Sequence, residues 1–309
     1  MKSRSLTLTL LAATLLAACA SAPPAATFRP AQGDASSGLR VLAAETFLAD
    51  LAQNVAGDRL KVDSLLRPNI DPHEFQPTPQ DAIKIAESQM LIVNGLGYET
   101  WLTKDLRNSG SQHLVVVASE GLSPTPDPSG EHPDGDPHMW MNPLNVIHYV
   151  ENIRDGLSKI DPAGKDVYAA NADAYISKLK DLDQWVKNEV AQVPAEKRLL
   201  VTNHDALGYF AQAYDFKIVG AVIPSVTTEA SPSAQQMAAL IETIKSSGAP
   251  AIFLDVGENQ KLAQQIGSES GAKIVTDLYV ESISTSDGSA PTYIDMIKHD
   301  VSVIVDALK

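Results

Sequence analysis

Asp136-Pro137-His138-Met139-Trp140-Met141-Asn142-Pro143 is the stretch on which the interpretation of this sequence depends. An earlier stretch, Asp71-Pro72-His73-Glu74-Phe75-Gln76-Pro77-Thr78-Pro79, begins in the same way. In both, a histidine directly follows a proline, whose ring fixes its own φ and keeps the residue before it extended. Each imidazole is therefore predicted to lie on a stiffened loop, although Asp-Pro also begins ordinary turns.

A third histidine, His204, follows an apolar run in Val201-Thr202-Asn203-His204-Asp205-Ala206. Three histidines on loops in distant parts of the chain favour a single metal ion that all of them bind. The alternative for each of them is an ordinary surface residue. The other parts of the chain decide between these two interpretations.

The start of the chain has the features of a secretory signal. Lys2 and Arg4 precede a short apolar core from Leu6 to Leu16, which is too short to span a membrane. Residues 1–18 are therefore predicted to be a signal peptide. Leu16-Ala17-Ala18-Cys19 resembles the bacterial lipobox, in which the cysteine is lipidated, and Cys19 is the single cysteine of the chain. Cleavage near Ala18 or Ala20, with Cys19 incidental, is the alternative.

Residues 19–38 are rich in Ala, Pro, Ser and Gly and are predicted to form a lipidated N-terminus and flexible tether. The formal net charge is −14, and it becomes −16 once Lys2 and Arg4 leave with the signal. A chain this acidic is a poor candidate for binding nucleic acid or an anionic membrane surface. The charge indicates no specific partner.

The remainder of the chain predicts an α/β protein with two lobes, each with a four-stranded parallel sheet flanked by helices. Short runs rich in Val, Ile and Leu alternate with helical patterns, which is typical of parallel sheets. The predicted strands are Leu39–Ala43, Leu60–Leu65, Met90–Asn94, Leu114–Val117, Arg198–Thr202, Lys217–Val222, Ala251–Leu254 and Lys273–Thr276.

One long rigid helix, residues 162–193, is predicted to join the lobes. Asp161 and Pro162 suit its start, Pro194 marks its end, and apolar residues recur at three-, four- and seven-residue spacing between them. A flexible hinge would be rich in Gly and Ser instead. The predicted lobes are residues 39–161 and 194–309, and each is predicted to bind the metal.

Four candidate ligands follow predicted strands. Ligands in open parallel sheets sit at the carboxyl ends of the strands. His73 and His138 lie in loops after the second and fourth strands, His204 follows the fifth, and Asp277 ends the eighth. Two facing lobes would bring these four side chains together.

The chain resembles the metal-binding receptors of bacterial ABC importers for zinc and manganese, known as cluster A-I solute-binding proteins. The resemblance covers nearly the whole mature chain, and its motifs are specific only in combination. It implies two α/β lobes joined by a rigid helix, with His73, His138, His204 and Asp277 as ligands. The motifs that carry it are Asp71-Pro72-His73, Pro77-Thr78-Pro79 with Asp81, Asn94-Gly95-Leu96-Gly97-Tyr98-Glu99 with Trp101-Leu102, Asp136-Pro137-His138-Met139-Trp140, Asn203-His204-Asp205-Ala206-Leu207-Gly208-Tyr209-Phe210 and Thr276-Asp277.

The resemblance also implies a function and partners. They are those of an extracytoplasmic, lipid-anchored monomer that delivers its ion to a membrane permease with a cytoplasmic ATPase; some relatives also act in cell adhesion. Two features depart from the family pattern. Asn142 stands where many members carry Asp, and the segment Ser123 to Asp136 holds only His132, where many zinc receptors have a histidine-rich loop.

Three imidazoles and one carboxylate favour Zn²⁺, which prefers such ligands in tetrahedral geometry. Manganese is the alternative, since family members with this ligand set have been assigned to either metal. Manganese receptors of the family usually carry Glu at the position of His204.

Other classes of protein fit less well. A zinc hydrolase needs an open position for water and a base, for which Asp205 or Glu74 are the candidates. A receptor for chelated metal or cobalamin would need aromatic and basic residues. A structural zinc site favours thiolates. We interpret the remaining histidines His113, His148 and His299 as solvated or hydrogen-bonded residues, and we expect no enzymatic activity.

Overall fold

The computed structural model describes residues 38–102, 113–127, 130, 132–257 and 260–309. Its strands form two four-stranded sheets in which every pairing is parallel, so the predicted α/β class is confirmed. The predicted signal peptide, Cys19 and nearly all of the tether lie outside the described residues. In the part of the chain described here, no helix is long and apolar enough to cross a membrane.

The first sheet has the strand order β2-β1-β3-β4. Its two central strands, β1 and β3, are buried along their whole length, as expected where helices cover both faces of a parallel sheet. The strands are β1 Val41–Ala43, β2 Val62–Ser64, β3 Met90–Val93 and β4 Leu114–Val117, and the helices of this lobe are α1 Thr46–Ala56, α2 Pro79–Glu87 and α3 Val146–Ile160.

A long helix, α4 (Lys165–Val190), follows a 3₁₀ turn at Pro162–Gly164. The sequence predicted one helix over residues 162–193, whereas the structure begins with this tighter turn and ends the helix at Val190. Asp161 anchors the turn because its carboxylate accepts hydrogen bonds from the Arg59 guanidinium and the Tyr168 hydroxyl. The 26 residues of α4 span about 39 Å, enough to run past both sheets.

The second sheet repeats the first, with the order β6-β5-β7-β8. Its strands are β5 Leu199–Thr202, β6 Lys217–Ala221, β7 Ala251–Asp255 and β8 Lys273–Leu278. Its helices are α5 Gly208–Tyr214, α6 Ala234–Ser247, α7 Gln260–Ser270 and α8 Tyr293–Leu308.

The last helix, α8, ties the two halves together because it packs on both α1 and α4. Asp50 of α1 accepts a hydrogen bond from the backbone N–H of Tyr293 at the start of α8, at 2.9 Å. Buried residues of both sheets belong to one continuous apolar cluster that includes the inner face of α4. The lobes therefore share a core.

The Asp50 contact makes stability depend on pH. Burial raises the pKa of Asp50 to about 6, and the Tyr293 N–H only partly opposes that rise. Because the folded-state pKa exceeds the ordinary value, the carboxylate costs stability as pH rises from about 4 through 6. We expect Asp50→Asn to raise the free energy of unfolding at pH 7.5 by about 1 to 2 kcal/mol, with no gain at pH 4. Urea unfolding at both pH values measures this, and exposed Asp58→Asn is the matched control; an equal gain at both pH values would contradict the prediction.

Candidate metal centre

Three imidazoles and one carboxylate converge between the two sheets. They belong to His73, His138, His204 and Glu281, all buried, and their ligand atoms lie within 4.8 Å of one another. Oε1 of Glu281 is 2.9 Å from Nε2 of His73, 3.2 Å from Nε2 of His204 and 3.7 Å from Nε2 of His138. Nε2 of His138 and Nε2 of His204 are 3.3 Å apart. The four donors thus form one compact group.

These separations suit a four-coordinate metal ion. Zinc binds nitrogen and oxygen at about 2.0–2.1 Å, which gives a tetrahedron with edges of about 3.3–3.4 Å. The four separations between donor atoms, from 2.9 to 3.7 Å, scatter around that edge. Nε2 of His73 and Oε1 of Glu281 are also buried without a hydrogen bond of acceptable geometry among the described residues. Buried polar atoms are normally paired, so the lone pairs of both atoms fit a shared cation.

The structure brings the three predicted histidines together, but it does not bring Asp277 to them. Asp277 is exposed, and its carbonyl oxygen lies 2.8 Å from Nε2 of His299 on α8. The register of β7 and β8 shifts between Phe253 and Asp255, so that Leu278 stands opposite Asp255. Regular pairing would have placed Asp277 there. The structure therefore groups Glu281 with the three histidines in place of the predicted Asp277, because the irregularity turns Asp277 outward.

Glu281 had a weak signal in the sequence. It follows the apolar pair Tyr279-Val280 and precedes Ile283, so an acidic residue occupies a stretch that otherwise reads as buried. A buried carboxylate needs a cationic partner or a metal. That argument could have put Glu281 beside Asp277 as a candidate, but the sequence does not show where the ladder shifts.

The two Asp-Pro-His stretches fold in the same way. Asp71 Oδ1 accepts the backbone N–H of His73 at 2.8 Å, and Asp136 Oδ1 accepts that of His138 at 2.9 Å. Each loop therefore closes on itself around its proline, as the sequence indicated. The other oxygen of Asp71 accepts the Thr228 hydroxyl of the second lobe at 2.6 Å, which ties this loop across the cleft.

Asp136 also contacts the imidazole ring of His138. Its Oδ1 lies 2.8 Å from Nδ1 of His138, so the ring points Nε2 at the other ligands. A carboxylate behind a metal-binding imidazole fixes the ring orientation and raises its basicity. The sequence motif Asp136-Pro137-His138 contains this residue, but the motif alone did not indicate that Asp136 orients the ring.

Charges in the centre depend on one another. Burial alone would lower the pKa of His138, but the hydrogen bond to Asp136 and the nearby Glu281 carboxylate outweigh it and raise the pKa to about 9. Glu281 is also desolvated, but the imidazoles of His73, His204 and His138 beside it hold its pKa well below the ordinary value. In the metal-free protein at neutral pH the centre therefore holds an ionised carboxylate and a protonated His138.

His204 reaches the group from the end of β5. The Thr202 hydroxyl donates to the His204 carbonyl at 2.7 Å and the N–H of Ala206 donates to the same oxygen at 2.9 Å, which bends the chain directly after the strand. The other histidines of the described chain lie outside the group. They are His113, His132, His148 and His299.

Fold and site together define a two-lobed α/β protein with a candidate metal centre between its lobes. The chain is 34% identical over 273 residues to the manganese-binding lipoprotein MntA of Halalkalibacterium halodurans, covering 88% of this chain and 89% of that protein. It is 35% identical to the iron-binding protein YfeA of Yersinia pestis, covering 88% and 86%. The solved structure of the periplasmic zinc-binding protein TroA from Treponema pallidum matches with a TM-score of 0.80 at 28% identity, covering 87% and 99%.

The family described as zinc-uptake complex component A, periplasmic (ZnuA), matches residues 41–307. This chain belongs to that family. The resemblance stated from the sequence motifs is confirmed.

Proposed function

We propose that the protein is an extracytoplasmic receptor that binds one divalent transition-metal ion and delivers it to the permease of an ABC importer. The observation that carries the proposal is the buried group of His73, His138, His204 and Glu281, with donor separations close to a tetrahedral edge. The names of the relatives agree with this class of function, since they include metal-binding lipoproteins and a periplasmic zinc-binding protein.

Zinc is the ion that this donor set fits best. Three nitrogens and one oxygen are borderline ligands, and the affinity order places Zn²⁺ above Mn²⁺ and Fe²⁺ at such a site. Manganese is the alternative cargo, because relatives are named for manganese and for iron as well as for zinc. A second oxygen of Glu281 on the ion would raise the coordination number and favour manganese.

The same geometry favours a protein that carries the metal ion over an enzyme that uses the ion in catalysis. A hydrolytic zinc centre keeps one position for water. Four protein donors at tetrahedral spacing fill the coordination of Zn²⁺ and leave none for a substrate. We therefore propose a receptor without enzymatic activity.

Lipidation of Cys19 is the proposed anchor, after removal of residues 1–18, with residues 19–38 as the tether. The two lobes at 39–161 and 194–309 and the connecting segment 162–193 are the proposed functional parts. The proposed partners are the permease and its cytoplasmic ATPase. The receptor acts as a monomer in this scheme.

Competitive titration of the metal-free protein with Zn²⁺ and Mn²⁺ tests the proposal. We expect one ion per chain and at least a hundredfold preference for zinc, given the nitrogen-rich donors. Elemental analysis of the protein as purified gives an independent measurement of the cargo. Absence of stoichiometric binding of either ion would contradict the receptor function, whereas a preference for manganese would change only the cargo.

Metal binding is expected to release a proton. The ion needs neutral imidazoles, and the raised pKa of His138, about 9, means that this ring carries a proton at pH 7.5 in the metal-free protein. Zinc affinity should therefore fall about tenfold per pH unit as pH drops from 9 towards 7, and more steeply at acid pH. Calorimetry in two buffers of different ionisation enthalpy should show about one proton released at pH 7.5. An affinity that stays constant from pH 9 to pH 7 would contradict the protonation of His138.

A further inference from the structure

The segment that carries Glu281 lies outside the regular sheet. Strand β8 ends at Leu278, three residues earlier, so the ladder does not fix the backbone of Glu281. Helix α8 begins only at Tyr293. A ligand on such a connection needs another device to hold it within bonding reach of an ion.

Asp255, at the end of β7, supplies contacts to this segment. Its Oδ1 accepts a hydrogen bond from the N–H of Val280 at 2.9 Å, and its Oδ2 accepts one from the N–H of Glu281 at 3.3 Å. Oδ1 also accepts the N–H of Val256 at 2.8 Å. The side chain is buried, with 7% of its surface exposed. The two oxygens of this carboxylate therefore accept hydrogen bonds from two successive peptide N–H groups, the second of which belongs to Glu281.

The register shift between β7 and β8 makes these two hydrogen bonds possible. Phe253 pairs with Val275, whereas Asp255 pairs with Leu278, so β8 carries one residue more than β7 over this interval. Such an irregularity bends the strand and re-aims the side chains that follow it. The segment after Leu278 then passes the Asp255 carboxylate, with its N–H groups facing the two oxygens.

The same segment is held from the first lobe by a different group. Trp140 Nε1, two residues beyond His138, donates to the carbonyl of Val280 at 2.8 Å. Val280 is thus bonded at its N–H by Asp255 and at its carbonyl by Trp140. Of these two contacts, the one from Asp255 extends to the peptide of Glu281 itself.

We propose that Asp255 is a positioning residue that acts through Glu281 and thereby fixes the four-donor geometry of the metal centre. This inference rests on the proposed function. Without Asp255 the N–H of Glu281 loses its hydrogen bond, the Glu281 carboxylate moves more readily out of the tetrahedral position, and the three histidines then bind the ion with solvent in the fourth position. Loss of groups that orient ligands lowers metal affinity by about 10- to 100-fold.

A double-mutant cycle on the full metal-free protein tests the proposal. The variants are Asp255→Asn, Glu281→Gln and the pair, and zinc affinity is measured by competition with a chromophoric chelator. In Asp255→Asn one oxygen becomes an NH₂ group that cannot accept an N–H. We expect this change to weaken zinc binding 10- to 100-fold in the otherwise unchanged protein and less than threefold beside Glu281→Gln. Equal losses in both backgrounds overturn the proposal.

The control is Asp183→Asn. Asp183 is likewise a buried aspartate with two hydrogen-bond donors, the Tyr214 hydroxyl and Lys187 Nζ, but it lies on α4. We expect zinc affinity within twofold of the unchanged protein, and a loss as large as that of Asp255→Asn overturns a role specific to Glu281. If the unchanged protein binds neither zinc nor manganese, the proposed function itself fails, which is a separate result.

Hydrogen exchange supplies a test that needs no metal and no functional assay. In the metal-free protein the amides of Val280 and Glu281 should be protected, because both donate to a buried carboxylate. Asp255→Asn should speed exchange at Glu281 at least tenfold while the amides of β5 stay protected, which also shows that the variant is folded. Rapid exchange of both amides in the unchanged protein overturns the proposal.

Discussion

Glu281→Gln is expected to weaken zinc binding on the order of 100-fold, whereas Asp277→Asn should change it less than twofold. Binding energies of about 10–16 kcal/mol for four-ligand zinc sites correspond to about 3 kcal/mol for each ligand, or roughly two powers of ten. Glutamine keeps the size of the side chain but removes its negative charge. Oε1 of Glu281 lies 2.9–3.7 Å from the three Nε2 atoms, while Asp277 is exposed.

The measurement should be made at pH 7.5 and again at pH 9. Glu281 is one of the groups that raise the pKa of His138, so its replacement makes the imidazole easier to deprotonate. Part of the loss at pH 7.5 is therefore offset, and the full loss should appear at pH 9. If Asp277→Asn proves as damaging as Glu281→Gln, the ligand set deduced from the structure is wrong.

Much of the fold follows from the sequence because its determinants are local. The apolar runs at Met90–Val93 and Leu114–Val117 became strands with no change of more than one residue at either end. The long helix was visible because Tyr168, Tyr175 and Leu182 recur on one face and are buried. What the sequence missed there is the 3₁₀ turn at Pro162–Gly164, since an α and a 3₁₀ start look alike as a pattern.

The convergence of the three histidines was predictable for a related reason. Proline stiffens the loops of His73 and His138, and parallel sheets place ligands at strand ends, so three positions could be derived from composition and order. The position of Glu281 beside them depends on a register shift between β7 and β8. A shift of one residue reverses which side chains face the site, and it is set by tertiary packing. The same limit concealed Asp255, because Val280 and Glu281 lie 25 and 26 residues further along the chain.

Contacts across the cleft bear on how the ion is released. Three hydrogen bonds join the two lobes: Thr228 donates to Asp71, Trp140 donates to Val280, and Tyr293 donates to Asp50. The continuous apolar cluster beneath them resists a wide opening. Rearrangement of the ligand loops, above all the segment of Glu281 that lies outside the sheet, is then a smaller step than separation of the lobes.

His204→Ala is expected to have the largest effect on zinc affinity, a loss of 100- to 1,000-fold by the same estimate for each ligand. Alanine removes a neutral nitrogen donor and leaves a void at a buried position. Nε2 of His204 lies 3.3 Å from Nε2 of His138 and 3.2 Å from Oε1 of Glu281, so no neighbouring donor takes its place without moving the loop. The chelator competition used for Glu281→Gln measures the loss, and zinc-dependent protection against thermal unfolding should shrink in parallel.

The matched control is His148→Ala, because His148 is an exposed histidine on α3 and its side chain keeps 51% of its surface accessible. We expect that variant to bind zinc within twofold of the unchanged protein. The metal-free His204→Ala protein should keep its helical circular dichroism, since the cores of both sheets are intact without the imidazole. Retention of full zinc affinity by a folded His204→Ala variant would mean that the ion binds elsewhere, since a four-coordinate site cannot lose a buried donor without weakening.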